Sequence, residues 1–377
     1  MGIEEFTDDS WFQDGALQTE ALADHVLDNL HIITMEDNGE MYVYEEGIYK
    51  DVGELRVKQF LTDELGNDYS RHNRAEVMEV IRNKTARPRE SFGEPNEWVC
   101  LGNCQYNIET GERKPHGPEG EYLYKIGTDY NEDATCPKFD RFLVKHVPLG
   151  RLRHIWCMFA HALHRGYPSQ SAFLMWGDTA TGKSTTLRVL EHLIGQENVA
   201  AQSVRQLKSG NHAMANLYGK QANIIAGAPS PQEMRQQEFK ALTGGDLMHA
   251  NPKHQQPFEF YNSATMIFAT NDMLDLEDLD DLEGEYLRRW EQIRYENTVP
   301  ESEREDNYYR RFTEDDDEME GILNRTLEAA YRMKQRGGIS FEWGELWNYY
   351  ADLADRVEAN EGGEDIEVEI ESGWFED

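Results

Sequence analysis

Lysine is scarce in this chain. Of its 37 basic residues only 13 are lysine, set against 72 acids for a net charge of −35. A surface built for a polyanion is ordinarily basic, so the balance argues at first sight against nucleic acid. The acids, however, are spread along the whole length, and an acidic, lysine-poor surface is what proteins working in molar salt carry. At 1 M salt the Debye length falls to about 3 Å, so repulsion between acids and phosphates becomes short-ranged. The charge points to a halophilic, archaeal host and leaves nucleic acid open as a partner. Long apolar runs are also missing. Nothing approaches the roughly 18 apolar residues of a membrane span, and MGIEEFTDDSW has neither the basic start nor the apolar stretch of a signal peptide. The four cysteines form no C-x-x-C pair, so reduced thiols are expected in place of a zinc site through Cys100, Cys104 and Cys136. The expected location is the cytoplasm. His154, His161 and His164 recur at helical spacing and read as packed or surface residues.

Against these absences stands one strong motif. Ser171 to Trp176 is short and apolar, the signature of a buried parallel strand. The next residues, Gly177, Asp178, Thr179, Ala180, Thr181, Gly182, Lys183 and Ser184, fit G-x-x-x-x-G-K-[ST], with Thr185 following. Leu187, Leu190, Leu193 and Ile194 then recur at helical spacing, and Gly195 stands where a helix would stop. Strand, glycine loop and helix form the context the motif requires. Backbone N–H groups of such a loop make an anion nest at a helix N-terminus. Lys183 would reach the β/γ phosphates of ATP, and the Ser184 hydroxyl would take one position on Mg²⁺.

Elsewhere the chain alternates between the two periodicities. Thr19 to Leu30, Leu55 to Leu65 and Arg74 to Ile81 read as helices, and Met41 to Lys50 as a hairpin around Glu46-Gly47. Glu97 to Thr110 reads as strands broken by turns; Tyr130 to Val147 and Leu149 to His164 are mostly helical. Lys220 to Ala226 and Ser263 to Thr270 read as further core strands, the latter ending in Asn271 where a parallel sheet presents groups to a ligand. Thr243 to His254 suggests a protruding hairpin with Lys253 and His254 near its tip. Eight acids between Asp272 and Glu285 predict an exposed loop, followed by Arg288-Arg289-Trp290 and a short strand at Gln292 to Tyr295. Helical sequence runs from Glu301 to about Arg336 and from Trp343 to Val357, before an acidic tail. The division expected is an accessory region at 1–168, a nucleotide-binding core at 169–300 and a helical region at 301–377.

The set GDTATGKST, FKALTGGD, Lys253, FATND and Tyr286-Leu287-Arg288-Arg289-Trp290 resembles the primase-helicase group of superfamily 3 helicases, carried by phages, plasmids and viruses. Tyr130 to Leu143 also resembles the accessory domain that precedes the ATPase there. The resemblance implies an α/β fold: an AAA+ P-loop core with a central, mostly parallel sheet flanked by helices, preceded by a mixed α+β domain and followed by a small helical region. It implies a homo-oligomeric, hexameric ring that uses ATP and Mg²⁺ to move along single-stranded DNA. Asn271 would position the attacking water. Arg288 or Arg289 would be the arginine finger acting on a neighbour's nucleotide, and Lys253 with His254 would contact DNA. Each also has a plainer reading: a turn cap for Asn271, pairing with the acidic loop for the arginines, a solvated chain for Lys253. One departure stands out. Asn223 to Pro229 ends its strand without the family's carboxylate, and the nearest downstream acid is Glu233. Glu233 folds back, hydrolysis is slow, or ATP is bound without turnover. The alternative is therefore a ring-forming initiator or assembly module. With about forty residues ahead of the resembling region, a primase domain is not expected here, and a separate primase or polymerase would supply primers.

Overall fold

The computed structural model describes residues 11–13, 15–89, 97–164, 166–209, 211–227, 237–253, 256–271, 288–338 and 345–359. Two compact units emerge, one of residues 1–93 with 117–123 and one of residues 94–116 with 124–377.

In the first unit a short pair, β1 (Phe12–Gln13) and β2 (Ala16–Leu17), leads into α1 (Thr19–Asn29). There follow β3 (Ile32–Met35), β4 (Met41–Glu45), β5 (Ile48–Lys50), α2 (Gly53–Leu65), α3 (Arg71–Thr85) and β6 (Ala86–Arg87). The sheet runs β5-β4-β3-β6, and the helices cover it through Leu22, Val26, Val57, Leu61, Val77 and Ile81. Glu46 and Gly47 turn β4 into β5 with φ of 54° and 98°, the left-handed pair a two-residue hairpin turn needs.

The second unit opens with a small antiparallel sheet, β7 (Trp98–Cys100), β8 (Gln105–Asn107) and β9 (Arg113–Lys114), then α4 (Pro137–His146) and α5 (Leu152–Leu163). Its centre is β10 (Ala172–Trp176), followed by α6 (Lys183–Ile194), β11 (Val199–Ala200), α7 (Val204–Ser209), α8 (Asn211–Ala215) and β12 (Ala222–Ala226). Then come α9 (Gln237–Gly244), β13 (Leu247–Ala250), β14 (Phe258–Tyr261), β15 (Thr265–Thr270) and β16 (Trp290–Arg294). The chain closes with α10 (Arg310–Thr313), α11 (Asp316–Arg336) and α12 (Glu345–Ala359).

Five strands form one sheet in the order β11-β12-β15-β10-β16, every pairing parallel. Both faces are covered, which is why β10 reads as an unbroken apolar run. Phe173 and Met175 enter a core shared with α4, α5, α6 and α11; Ala172 and Leu174 enter another with α7, Phe239 of α9 and β13–β14. The first core crosses the expected boundaries at 168 and 300, because α4, α5, α11 and α12 bury their apolar faces there. Mid-helix Gly321 of α11 is explained by that packing: a Cβ there would lie 2.1 Å from the Thr135 carbonyl carbon. Glu318 of α11 accepts from the Phe139 N–H at 2.7 Å, and Asp140 accepts from the Tyr349 and Tyr350 hydroxyls at 2.9 and 2.5 Å. The acidic loop expected at Asp272 to Glu285 and the acidic tail beyond 359 lie outside the described residues.

Candidate nucleotide-binding site

Gly177 to Gly182 joins the C-terminal end of β10 to the first turn of α6. Gly177 takes φ 145°, and a Cβ there would sit 2.3 Å from the Tyr295 carbonyl oxygen. Ala180 and Gly182 also have positive φ, 60° and 97°. A Cβ on Gly182 would lie 2.7 Å from Cζ of Phe142. Glycine is therefore demanded twice over at both motif positions, by backbone angle and by crowding. The loop has two walls. On one side Tyr295 donates its N–H to the Trp176 carbonyl at 2.7 Å and Val299 donates to Ala180 at 2.9 Å. On the other stand Phe142 and His146 of α4. His146 is buried and bonds through Nδ1 to the Asn297 carbonyl at 3.1 Å; burial pushes its pKa down to about 4, so it is neutral.

Lys183 opens α6 and is buried, its Nζ donating to the carbonyls of Gly177 at 2.5 Å and Asp178 at 2.7 Å, with Thr181 Oγ1 3.4 Å away. Burial lowers its pKa below the usual lysine value, with the Asp178 charge acting the other way. Those carbonyls satisfy the ammonium donors, and phosphate oxygens at the loop would be competing acceptors. Ser184 is exposed on the first turn of α6 and Thr185 is half-buried. Behind them Thr186 is buried and receives the Tyr295 hydroxyl at 2.7 Å.

Trp176 pairs with Thr270 of β15, so Asn271 follows at the level where Gly177 opens the loop, and it is exposed. β12 ends at Ala226, and Gly227 after it donates its N–H to the Ala269 carbonyl at 2.6 Å; among the described residues from Asn223 to Gly227 there is no carboxylate. Glu233 lies outside the described residues. This donor set suits a Mg²⁺ held mostly by phosphate oxygens plus one protein hydroxyl, that of Ser184.

The remaining sequence-predicted residues lie apart from the loop. β16 runs parallel to β10 with Ala172 opposite Trp290, so Arg288 and Arg289 precede the strand at the end of the sheet remote from Gly177. The two differ sharply. Arg289 is 4% exposed, and its Nη1 donates to Thr243 Oγ1 at 2.9 Å and to the Lys240 carbonyl at 3.3 Å. Arg288 is exposed, with Nη2 3.2 Å from Gln170 Oε1. Lys253 is exposed at the turn between β13 and β14; His254 lies outside the described residues. The helix histidines are packed groups: His161 meets Thr265 Oγ1 at 2.8 Å and the Ser169 carbonyl at 3.1 Å. Among the described residues no three His, Cys, Asp or Glu side chains gather as a metal site, and no helix is long and apolar enough to cross a membrane. Sequence reasoning missed Phe142 and His146, which lie far upstream. It also missed Arg294, whose guanidinium lies 5.4 Å from the Trp176 ring centroid at the loop's mouth and pairs with Glu296 at 3.2 Å.

Residues 8–147 match the family described as D5 N terminal like, and residues 175–289 match a family of unknown function, DUF5906. The order of the two regions is the order in which the resembling motifs occur. The chain belongs with the primase-helicase group. Solved apo structures of the C-terminal region of NrS-1 share its fold at a TM-score of 0.51. They are 13% identical over 88–89% of this chain and 74–75% of theirs. No curated protein matches the sequence. The D5 N-terminal-like match ends at 147, so it includes Phe142 and His146, and this primase-helicase-type chain draws one wall of its glycine loop from that region.

Proposed function

We propose that the chain is an ATP-dependent DNA helicase subunit with an AAA+ core that assembles into a hexameric ring. The observation that carries this reading is the loop: Lys183 seated in its glycine cradle, with Asn271 level with Gly177 on the neighbouring strand. Lys183 and the loop N–H groups would hold the β/γ phosphates, Ser184 would serve Mg²⁺, and Asn271 would orient water toward the γ-phosphate. Mg²⁺, when bound, supplies charge neutralisation across the phosphates.

The finger assignment favours Arg288, with Arg289 as the buried anchor that ties it to α9. Five strand steps at about 3.3 Å, roughly 17 Å, separate Trp290 from the Gly177 level, and Arg288 precedes Trp290 by two residues on the far side. An arginine cannot span that distance, so Arg288 can reach nucleotide only on another subunit. This is what supports a ring. Lys253 at the hairpin turn is the proposed contact for single-stranded DNA, with His254 beside it in sequence. Phosphate contacts weaken as salt rises. In the molar salt suggested by the net charge of −35, a ring encircling the strand would hold DNA by topology where a monomer could not.

The bare end of β12 at Gly227 supports a second reading, an initiator or assembly ring with slow or no turnover. Steady-state ATP hydrolysis in high potassium chloride, with and without single-stranded DNA, separates the two. DNA-stimulated turnover abolished by Lys183→Ala supports the helicase. Nucleotide binding without turnover supports the assembly module, and no nucleotide binding by the intact chain overturns both.

A further inference from the structure

We propose that His212 is a positioning residue that clips the tip of the β13–β14 hairpin to α8 and thereby ties it to the central sheet. The hairpin buries one face: Met248, Ala250, Phe258 and Phe260 point inward. Tyr218 packs on it as far as its last ladder pair, Ala250 with Phe258, with the ring edge-on to Phe258 at 5.3 Å and Phe260 at 5.6 Å. Toward the tip this apolar support ends, and the residues from Asn251 to Lys253 are half-buried or exposed. Here His212 of α8 reaches across, its Nδ1 donating to the Asn251 carbonyl two residues before Lys253. Since a carbonyl only accepts, the proton sits on Nδ1.

The segment carrying His212 is itself fastened to the sheet. Ser203 Oγ accepts from the Gln206 N–H at 3.2 Å while Gln206 Oε1 accepts from the Ser203 N–H at 2.8 Å, a capping box that starts α7. Just before it, the fully buried Asn223 of β12 accepts from the Gln202 N–H at 2.7 Å and donates to the Gln202 carbonyl at 2.9 Å. Hydrogen bonds therefore fasten the start of α7 to β12 and α8 to the hairpin tip, and between them α7 and α8 pack in one apolar cluster through Val204, Leu207 and Met214. A shift of β12 has a mechanical route to the tip, and His212 is its last link. What the tip does with that link rests on the DNA reading above; the clip itself does not.

The test uses the full chain. Hydrogen exchange of the amides of Met248 to Asn251 and of Lys253 is measured without DNA or nucleotide in wild type, His212→Ala, His212→Asn and His212→Gln. An asparagine amide N–H occupies the place of Nδ1, whereas glutamine reaches the place of Nε2. Loss of one hydrogen bond predicts roughly 3- to 10-fold faster exchange in the Ala and Gln variants, with protection restored in Asn. Unchanged exchange in His212→Ala, or equal rescue by Asn and Gln, overturns the clip. In parallel, the single-stranded DNA concentration that half-stimulates ATP hydrolysis is expected to rise by a similar factor in His212→Ala, with the KM for ATP unchanged. A rise in that KM overturns an effect confined to the hairpin. If Lys253→Ala leaves DNA stimulation untouched, the DNA reading has failed, and the exchange data alone still judge the clip.

Discussion

Replacing Gly182 with alanine tests whether the loop geometry is what the motif requires. Two separate costs follow from the structure. Gly182 has φ 97°, and a left-handed conformation costs an L-residue about 1–2 kcal/mol. The added Cβ would also meet Phe142 Cζ at 2.7 Å. That ring has little room to retreat, because it packs on Phe139 (centroids 5.9 Å), Phe312 (5.5 Å) and His146 (4.8 Å). Overpacking of this kind costs about 1–3 kcal/mol. The sum is roughly 2–5 kcal/mol, divided between global stability and nucleotide affinity according to whether the loop holds or yields. Urea unfolding and the Kd of a fluorescent ATP analogue, taken together, should recover it. Phe142→Leu in the same chain should return the steric part and leave about 1–2 kcal/mol of backbone strain. The reasoning is refuted if Gly182→Ala changes neither the urea midpoint nor the Kd, or if Phe142→Leu gives no relief in the double-mutant cycle.

Arg288→Ala should leave the urea midpoint within about 0.5 kcal/mol while slowing ATP hydrolysis of the assembled protein by about 10³–10⁵; Arg289→Ala should instead lower stability by about 1–3 kcal/mol, since it removes a buried side chain and its hydrogen bonds to the Thr243 hydroxyl and Lys240 carbonyl. Glu318 predicts a pH dependence. Burial raises its pKa from 4.5 to about 7, so the folded state holds its proton more tightly than the unfolded chain does. Its contribution to stability is fully present below pH 4.5 and is lost as pH rises toward 7. Glu318→Gln keeps an acceptor for the Phe139 N–H and removes the charge, so its stability relative to wild type should climb between pH 4.5 and 7 and level off above. Urea midpoints that differ by a constant across that range would contradict this. For the missing strand-end carboxylate, Glu233→Gln should abolish turnover with ATP binding intact if Glu233 serves hydrolysis; unchanged turnover would remove it from consideration.

Much of the site was legible because its signals are local. The order apolar strand, glycine loop, amphipathic helix predicts β10, the loop and α6 with Gly195 at its end, and the structure has them at Ala172–Trp176 and Lys183–Ile194. The hairpin carrying Lys253 and the strand that ends just before Asn271 were readable for the same reason. Other features were not. α7 and α8 span six and five residues, too short for a helical period to show, so the support under the hairpin was invisible.

By itself the sequence determined the strand, glycine loop and helix around Gly177 to Ser184, the apolar strands of the parallel sheet and the acid-free run from Asn223 to Pro229, because each depends on residue type and near neighbours along the chain. Tertiary structure alone decided three further matters. Arg288 and Arg289 are chemically identical neighbours, and only packing against α9 shows that one is buried and the other exposed. Phe142 and His146 wall the loop from about forty residues upstream, a contact no local pattern records. One core also spans position 168 for the same reason. Helices on both sides of it bury their apolar faces in one core, and burial follows proximity in space.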